Sequence, residues 1–200
     1  PDPKGILFIG ANMVAFAIAK ALKQEGFKCV LIDTSWDKIS KARMEGLDTY
    51  YGEPVSEHAD RHLDLIGIGK MLALSPRGAL NALSCMHYRM EFGYNAVYTL
   101  QVASELEMSE VRKATSQNCK NLLFGKDITF SDLAANLTKG WEIHNTPLTE
   151  QFTYEKLIEK YESRLIPLFA VRPNGNLEIF TTDHKIKPRP GWTLIAMMPG

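Results

Sequence analysis

Short apolar runs alternate with helical patterns through the first hundred residues of the chain. The runs end at glycine or at a polar residue, and the segments between them carry apolar residues at helical spacing. Strands are predicted at 5–10, 28–33, 48–52, 70–75 and 95–100, with helices at 13–25, 36–45, 56–65 and 76–90. Strands that alternate with helices at this spacing indicate right-handed βαβ units, so we predict an α/β fold with a doubly wound parallel sheet.

The pattern changes in the second half of the chain. A polar helix is predicted at 105–118, a short strand at 121–125 and a small helix at 131–138. Further strands are predicted at 141–144, 165–169, 177–181 and 192–198, with a helix at 153–161. Asn174 and Gly175 lie between two of these apolar runs and predict a β-hairpin. We therefore divide the chain into a doubly wound domain, residues 1–120, and a small α+β module, residues 121–200.

The junction between the first predicted strand and the first predicted helix has the character of a phosphate-binding turn. The Rossmann dinucleotide-binding turn follows the pattern Gly-x-Gly-x-x-Gly, since the chain turns tightly and the phosphates approach its backbone. The three positions here are Gly10, Asn12 and Ala15. Asn enters the left-handed backbone region more readily than most residues, but its side chain crowds a pyrophosphate. A mononucleotide with one phosphate at the helix N-terminus is therefore expected to fit better than a dinucleotide.

A carboxylate stands at the position that ribose binding requires. Asp33 ends the second predicted strand, about twenty residues after Gly10. A carboxylate there accepts hydrogen bonds from both ribose hydroxyls and repels a 2′-phosphate. The turn and the acid together predict a Rossmann-like nucleotide-binding domain. The alternative is a Rossmann-like domain that has lost its ligand.

Four stretches of the first half together resemble the RCK or TrkA-N family, the cytosolic regulators of potassium channels and cation transporters. The stretches are the turn at Gly10, the strand ending in Asp33, the step at 51–53 and the run at 73–81. The family has an Asn at the position of Asn81. It usually has Gly-Asp where this chain has Gly52 and Glu53, and often Arg where this chain has Gln101.

The resemblance implies a set of ligand-binding residues. The adenosine ribose would lie along the end of the second strand and the end of the third, and the phosphate near the first turn and the end of the fourth strand. The candidate residues are Gly10, Ala11, Asn12, Met13, Val14, Asp33, Thr34, Gly52, Glu53 and Ser75. The implied ligand is an adenine nucleotide (AMP, ATP, NAD or NADH), and the implied assembly is a homodimer.

The second half is similar to the tail of bacterial sodium/proton antiporters of the cation:proton antiporter class. The similarity rests on the stretches 140–143, 148–153, 165–169 and 190–194. It implies a soluble regulatory domain at the cytoplasmic face of the inner membrane, attached to the membrane transporter domain of the same polypeptide and gating ion transport. The chain begins with Pro1 rather than Met, which we interpret as a piece of a longer polypeptide.

Composition narrows the choice of partners and compartment. The chain has 23 basic and 23 acidic residues, and this zero net charge disfavours nucleic acid or an anionic membrane surface as the main partner. The three cysteines lack zinc-ligand or redox spacing and indicate reduced thiols in the cytoplasm. Core positions are predicted for Cys29 and for Met71, Met86, Met90, Met197 and Met198.

The remaining groups of polar residues predict neither a metal site nor a catalytic site. His58 and His62 have the spacing of a metal-binding pair, but charged neighbours and the lack of a third ligand indicate a solvated helix face, so no metal is predicted. No nucleophile with an adjacent base is evident, so no catalytic residue is predicted. The leading hypothesis is a regulatory binding module. The alternatives are an NAD-dependent oxidoreductase of unknown substrate and an assembly domain without ligand.

Overall fold

A six-stranded parallel sheet forms the first part of the computed structural model, which describes residues 3–102 and 119–200. The strand order is β3-β2-β1-β4-β5-β6, so the order reverses between β1 and β4. This doubly wound arrangement confirms the predicted fold. The strands are β1 (Gly5–Ile9), β2 (Cys29–Asp33), β3 (Asp48–Tyr51), β4 (Ile68–Ala73), β5 (Val97–Thr99) and β6 (Asn121–Leu122).

In the described part of the chain, four helices connect β1 to β5 and cover the sheet. They are α1 (Met13–Gln24), α2 (Trp36–Met44), α3 (Glu57–His62) and α4 (Gly78–Phe92). All of β1 is buried, as expected for a continuous apolar strand covered on both faces. Helix α3 is shorter than predicted, and α4 begins at Gly78, after the N-cap residue Arg77, rather than at residue 76. The helix predicted at 105–118 lies outside the described residues.

The second part is a four-stranded antiparallel sheet with two helices. Its strand order is β7-β10-β8-β9, and β8 and β9 form the predicted hairpin, with Gly175 in the left-handed region at φ 87°. The elements are α5 (Phe130–Thr138), β7 (Glu142–Pro147), α6 (Tyr154–Tyr161), β8 (Ile166–Val171), β9 (Leu177–Ile179) and β10 (Thr193–Met198). Single 3₁₀ turns lie at Tyr94–Ala96 and Glu162–Arg164.

One hydrophobic core joins the two sheets. It contains side chains of β1 and α1 together with Phe169 of β8 and Ile195 and Met197 of β10. A hydrogen bond from Asn145 Nδ2 to the carbonyl oxygen of Ala21, 3.0 Å long, ties β7 to α1 as well. The antiparallel sheet is therefore packed on α1, which also packs on the parallel sheet, and the division at residue 120 stays a prediction.

Burial agrees with the predicted core except on one helix. Cys29, Met71, Met197 and Met198 are buried, whereas Met86 and Met90 on α4 are 44% and 83% exposed. The prediction for those two methionines was wrong, because α4 turns that face away from the sheet. Among the described residues, we find no helix with the length and apolar character needed to cross a membrane.

Replacing Phe169 with alanine tests the shared core. Phe169 is fully buried and packs edge to face on Phe124, with ring centroids 5.6 Å apart. We expect the free energy of unfolding to fall by about 3–5 kcal/mol in urea denaturation, with both sheets still unfolding in one transition. Phe152→Ala is the control, because that ring is 41% exposed and its loss should cost about 0.5 kcal/mol. Two separate transitions, only one of them shifted, would contradict a common core.

The three cysteines should be unreactive in the folded chain. All three are buried. Burial, reinforced by nearby Asp48, raises the pKa of the Cys29 thiol to about 12. A hydrogen bond with Cys119, together with burial, raises the pKa of Cys85 above its usual range. The thiolate is the reactive form, so an aromatic disulfide reagent at about pH 8 should label the chain only after denaturation. Rapid labelling of any thiol in the native chain would refute this.

Candidate functional site

All ten predicted ligand-binding residues lie at one edge of the parallel sheet. They belong to the carboxyl ends of β1 to β4 and the segments that follow them. In doubly wound sheets ligands bind outside this edge, at the point where the strand order reverses. That point lies here between β1 and β4. The tertiary structure therefore brings the candidate residues together, while their part in binding stays a prediction.

Gly10 makes the tight turn between β1 and α1. Its φ angle is 106°, in the region that favours glycine, and its amide donates a 2.7 Å hydrogen bond to the carbonyl oxygen of Ile32. A Cβ atom at this position would lie only 2.9 Å from Asn12 Nδ2. Glycine is therefore required both by the backbone angle and by the Asn12 side chain beside it.

Asn12 caps helix α1 with its own side chain. Its Oδ1 accepts hydrogen bonds from the amides of Val14 and Ala15 at 3.1 and 3.0 Å, and its Nδ2 donates to the carbonyl oxygen of Leu74 at 2.8 Å. These partners define the orientation of the amide group. Its φ of −65° is extended rather than left-handed, and the residue is 7% exposed. The amides of Val14 and Ala15 are thus already engaged by the Asn12 side chain.

Asp33 ties the turn after β1 to the turn after β2. Its Oδ2 accepts a 2.8 Å hydrogen bond from the amide of Ala11, and its Oδ1 accepts one of 2.9 Å from the amide of Ser35. The residue is half-buried. A carboxylate has about four acceptor positions, so both oxygens retain capacity for ligand hydroxyls. Asp33 is therefore a structural link and a candidate ribose acceptor at once.

Ser75 is held on the other side of the switch point by Asn81. The amide of Ser75 donates to Asn81 Oδ1 at 3.1 Å, and Asn81 Nδ2 donates to the Ser75 carbonyl oxygen at 2.8 Å. The Ser75 hydroxyl accepts from the amide of Arg77 at 3.0 Å. Both Ser75 and Asn81 are buried. This pairing fixes the backbone that follows β4 and delays the start of α4.

An exposed aromatic pair lies beside the candidate ribose site. Trp36 and Tyr51 are 49% and 51% exposed, and their rings meet edge to face with centroids 5.4 Å apart. Gly52 follows Tyr51, and its amide nitrogen donates a 3.0 Å hydrogen bond to the backbone carbonyl oxygen of Asp33. Sequence reasoning did not assign these rings to the site. The sequence feature that could have identified them is their position: Trp36 directly follows the capping residue Ser35, and Tyr51 ends β3.

The histidine pair on α3 takes part in ring stacking and a hydrogen bond. The rings of His58 and His62 stack with centroids 4.1 Å apart, and His58 Nδ1 is hydrogen-bonded to the Tyr50 hydroxyl. Within residues 3–102 and 119–200 there is no group of three or more His, Cys, Asp or Glu side chains able to hold a metal ion.

A groove of about 480 Å³ lies in the antiparallel module. It is flanked by β7 and α6, and its polar lining includes His144, Tyr161 and Arg164. None of the ten candidate residues contributes to it. The groove is therefore separate from the edge of the parallel sheet.

Comparison with known proteins adds a family match. The family model described as the TrkA-N domain matches residues 6–115. No curated protein sequence matches the chain significantly.

The chain is similar to three solved structures at low sequence identity. The TrkA-N domain of the inner membrane protein ybaL from Escherichia coli is 13% identical, with a TM-score of 0.50 over 68% of this chain and 95% of that one. The GsuK channel is 13% identical, with a TM-score of 0.50, and this whole chain spans 37% of its length. The NAD(P)-binding domain of an exopolyphosphatase-related protein from Archaeoglobus fulgidus is 20% identical, with a TM-score of 0.49 over 67% of this chain and 93% of that one.

Replacing Asp33 with asparagine should destabilise the ligand-free chain. The amide nitrogen of Asn cannot accept a hydrogen bond, so one of the two backbone amides loses its acceptor and the other keeps only a neutral one, at a cost of about 1.5–3 kcal/mol. Urea denaturation without nucleotide measures this loss. Asp183→Asn, at an exposed loop position, is the matched control and should stay within about 0.5 kcal/mol of the original chain. Equal stability of all three chains would show that Asp33 does not hold the turns.

Proposed function

Because the chain belongs to the TrkA-N domain family, we propose that it is a regulatory domain that binds an adenine nucleotide at the carboxyl edge of its parallel sheet. The observation that carries this proposal is the placement of Asp33 at the tip of β2, between the Gly10 turn and Gly52. A carboxylate in this place is suited to the two hydroxyls of a ribose. AMP, ATP, NAD and NADH all offer that group.

The neighbouring residues suggest how the rest of the nucleotide is held. In the proposed arrangement the ribose hydroxyls donate to Asp33, with Thr34, Gly52 and Glu53 lining the same end. The adenine ring lies against the exposed aromatic pair, since flat apolar rings stack favourably. The phosphate lies near the start of α1, where backbone amides and the helix dipole favour an anion.

The proposed role is to control a membrane transporter. The solved relatives with the shared fold are described as a channel and as a domain of an inner membrane protein, which agrees with such a partner. The similarity of the second half to antiporter tails favours a monovalent cation/proton antiporter in the same polypeptide, with this domain as a homodimer at the cytoplasmic face. Nucleotide would change transport only by binding two states of the domain with different affinity.

Deoxynucleotides test the ribose contact without altering the protein. In isothermal titration of the 200-residue chain, 2′-deoxy-AMP and 3′-deoxy-AMP should each bind about tenfold or more weakly than AMP, because each loses a hydrogen bond to a charged acceptor. The same titration compares AMP with ATP and NAD.

The Asp33→Asn variant supplies the control for that titration. It should bind AMP more weakly and discriminate less between AMP and the deoxynucleotides, because the charged acceptor is gone. Absence of heat with every adenine nucleotide would refute the proposed function. Equal affinity for AMP and both deoxynucleotides would show that Asp33 does not contact the ribose.

A further inference from the structure

We infer that the Asn12 side chain closes the crevice through which a dinucleotide would cross the sheet, so that this site selects an adenine mononucleotide over NAD. The inference rests on the proposed nucleotide site and concerns which member of the ligand class enters it. It is carried by the position of Asn12 between β1 and β4 and by the hydrogen bonds of its carboxamide.

A dinucleotide must pass the place that Asn12 occupies. In a doubly wound sheet the two halves of a dinucleotide lie on opposite sides of the switch point, and the pyrophosphate joins them across the crevice. Here the crevice lies between β1 and β4, and the 2.8 Å hydrogen bond from Asn12 Nδ2 to the Leu74 carbonyl oxygen bridges the segments that follow these strands. The carboxamide therefore stands where the pyrophosphate would lie.

The start of α1 also offers fewer amides than a pyrophosphate would use. Four amides at a helix N-terminus lack partners within the helix. Asn12 Oδ1 already accepts from two of them, those of Val14 and Ala15. The amide of Ala11, at the turn itself, donates to Asp33. The amides of Asn12 and Met13 make no hydrogen bond within the described part of the chain, and two amides suit one phosphate group.

The Asn12 side chain is held firmly in the position where it closes the crevice. Its side chain satisfies three backbone groups and is 7% exposed, so moving it would leave buried polar groups unpaired. It rests against the bare Cα of Gly10, where even a Cβ atom would come within 2.9 Å of Nδ2. Across the crevice, Asn81 fixes the Ser75 backbone through two further hydrogen bonds. The segment that accepts the Asn12 hydrogen bond after β4 is therefore held in place as well.

The adenosine side of the crevice stays accessible. Asp33 is half-buried, Thr34 and Glu53 are exposed, and Trp36 and Tyr51 have about half of their surface free. A nucleoside monophosphate can contact these residues and end at the amides of Asn12 and Met13 without crossing the switch point. The nicotinamide half of NAD would have to lie beyond the switch point, on the far side of the Asn12 side chain.

The experiment compares two substitutions that separate the role of Asn12 as the N-cap of α1 from its blocking of the crevice. Asn12→Ser keeps a good N-cap but is too short to bridge to Leu74, and Asn12→Gly removes the side chain entirely. Asn95→Ser, at the opposite edge of the sheet before β5, is the matched control. Each 200-residue chain is titrated with AMP and with NAD by calorimetry, after a thermal melt confirms that it folds.

The expected result is a change in ligand preference. The original chain and Asn95→Ser should bind AMP at least about tenfold more tightly than NAD, and both Asn12 variants should reduce that ratio about tenfold by gaining affinity for NAD. Equal or tighter binding of NAD by the original chain would overturn the inference and leave the proposed function intact, even if neither variant folds. An unchanged ratio in folded Asn12 variants would also overturn it. No binding of either nucleotide by the original chain would instead refute the proposed function, and the inference with it.

Discussion

The hydrogen bond from the Ala11 amide to the Asp33 carboxylate joins the two central loops at the carboxyl edge of the parallel sheet. β1 and β2 lie side by side in the middle of that sheet, and the chain leaves each of them through a tight turn. Backbone amides in such turns need acceptors when water is partly excluded. Asp33 supplies one to each turn, so the geometry of the candidate site depends on a charge that is also the proposed ligand contact.

Helix α1 connects this edge to the rest of the molecule. It begins at Asn12, beside the crevice, and its apolar face belongs to the core that also contains side chains of β8 and β10. Further along, its Ala21 carbonyl oxygen accepts the hydrogen bond from Asn145 on β7. The antiparallel module is thus packed directly on the helix whose first turn lies at the candidate site. Helix α1 therefore contacts both the parallel sheet and the antiparallel module.

Local sequence patterns were sufficient to identify most of the elements. Continuous apolar runs become strands that are covered on both faces, and helices between them end at glycines such as Gly26 and Gly46, both with positive φ. Errors arose where the start or the buried face of a helix depends on contacts that the hydrophobic pattern does not show. The start of α4 moved because Asn81 and Ser75 hold the preceding loop. The exposure of Met90 likewise depends on which face of α4 meets the sheet.

The sequence by itself determined the alternation of strands and helices, the turn at Gly10 and the acid at the end of β2. It also determined the resemblance to a family whose model matches more than half of the chain. These follow from hydrophobic periodicity and from short spacings, which are local properties. Only the tertiary structure decided that Asn12 reaches Leu74, 62 residues away, and that the two sheets share one core. Those features depend on contacts between residues distant in the chain, and no local pattern specifies which buried polar group will find which partner.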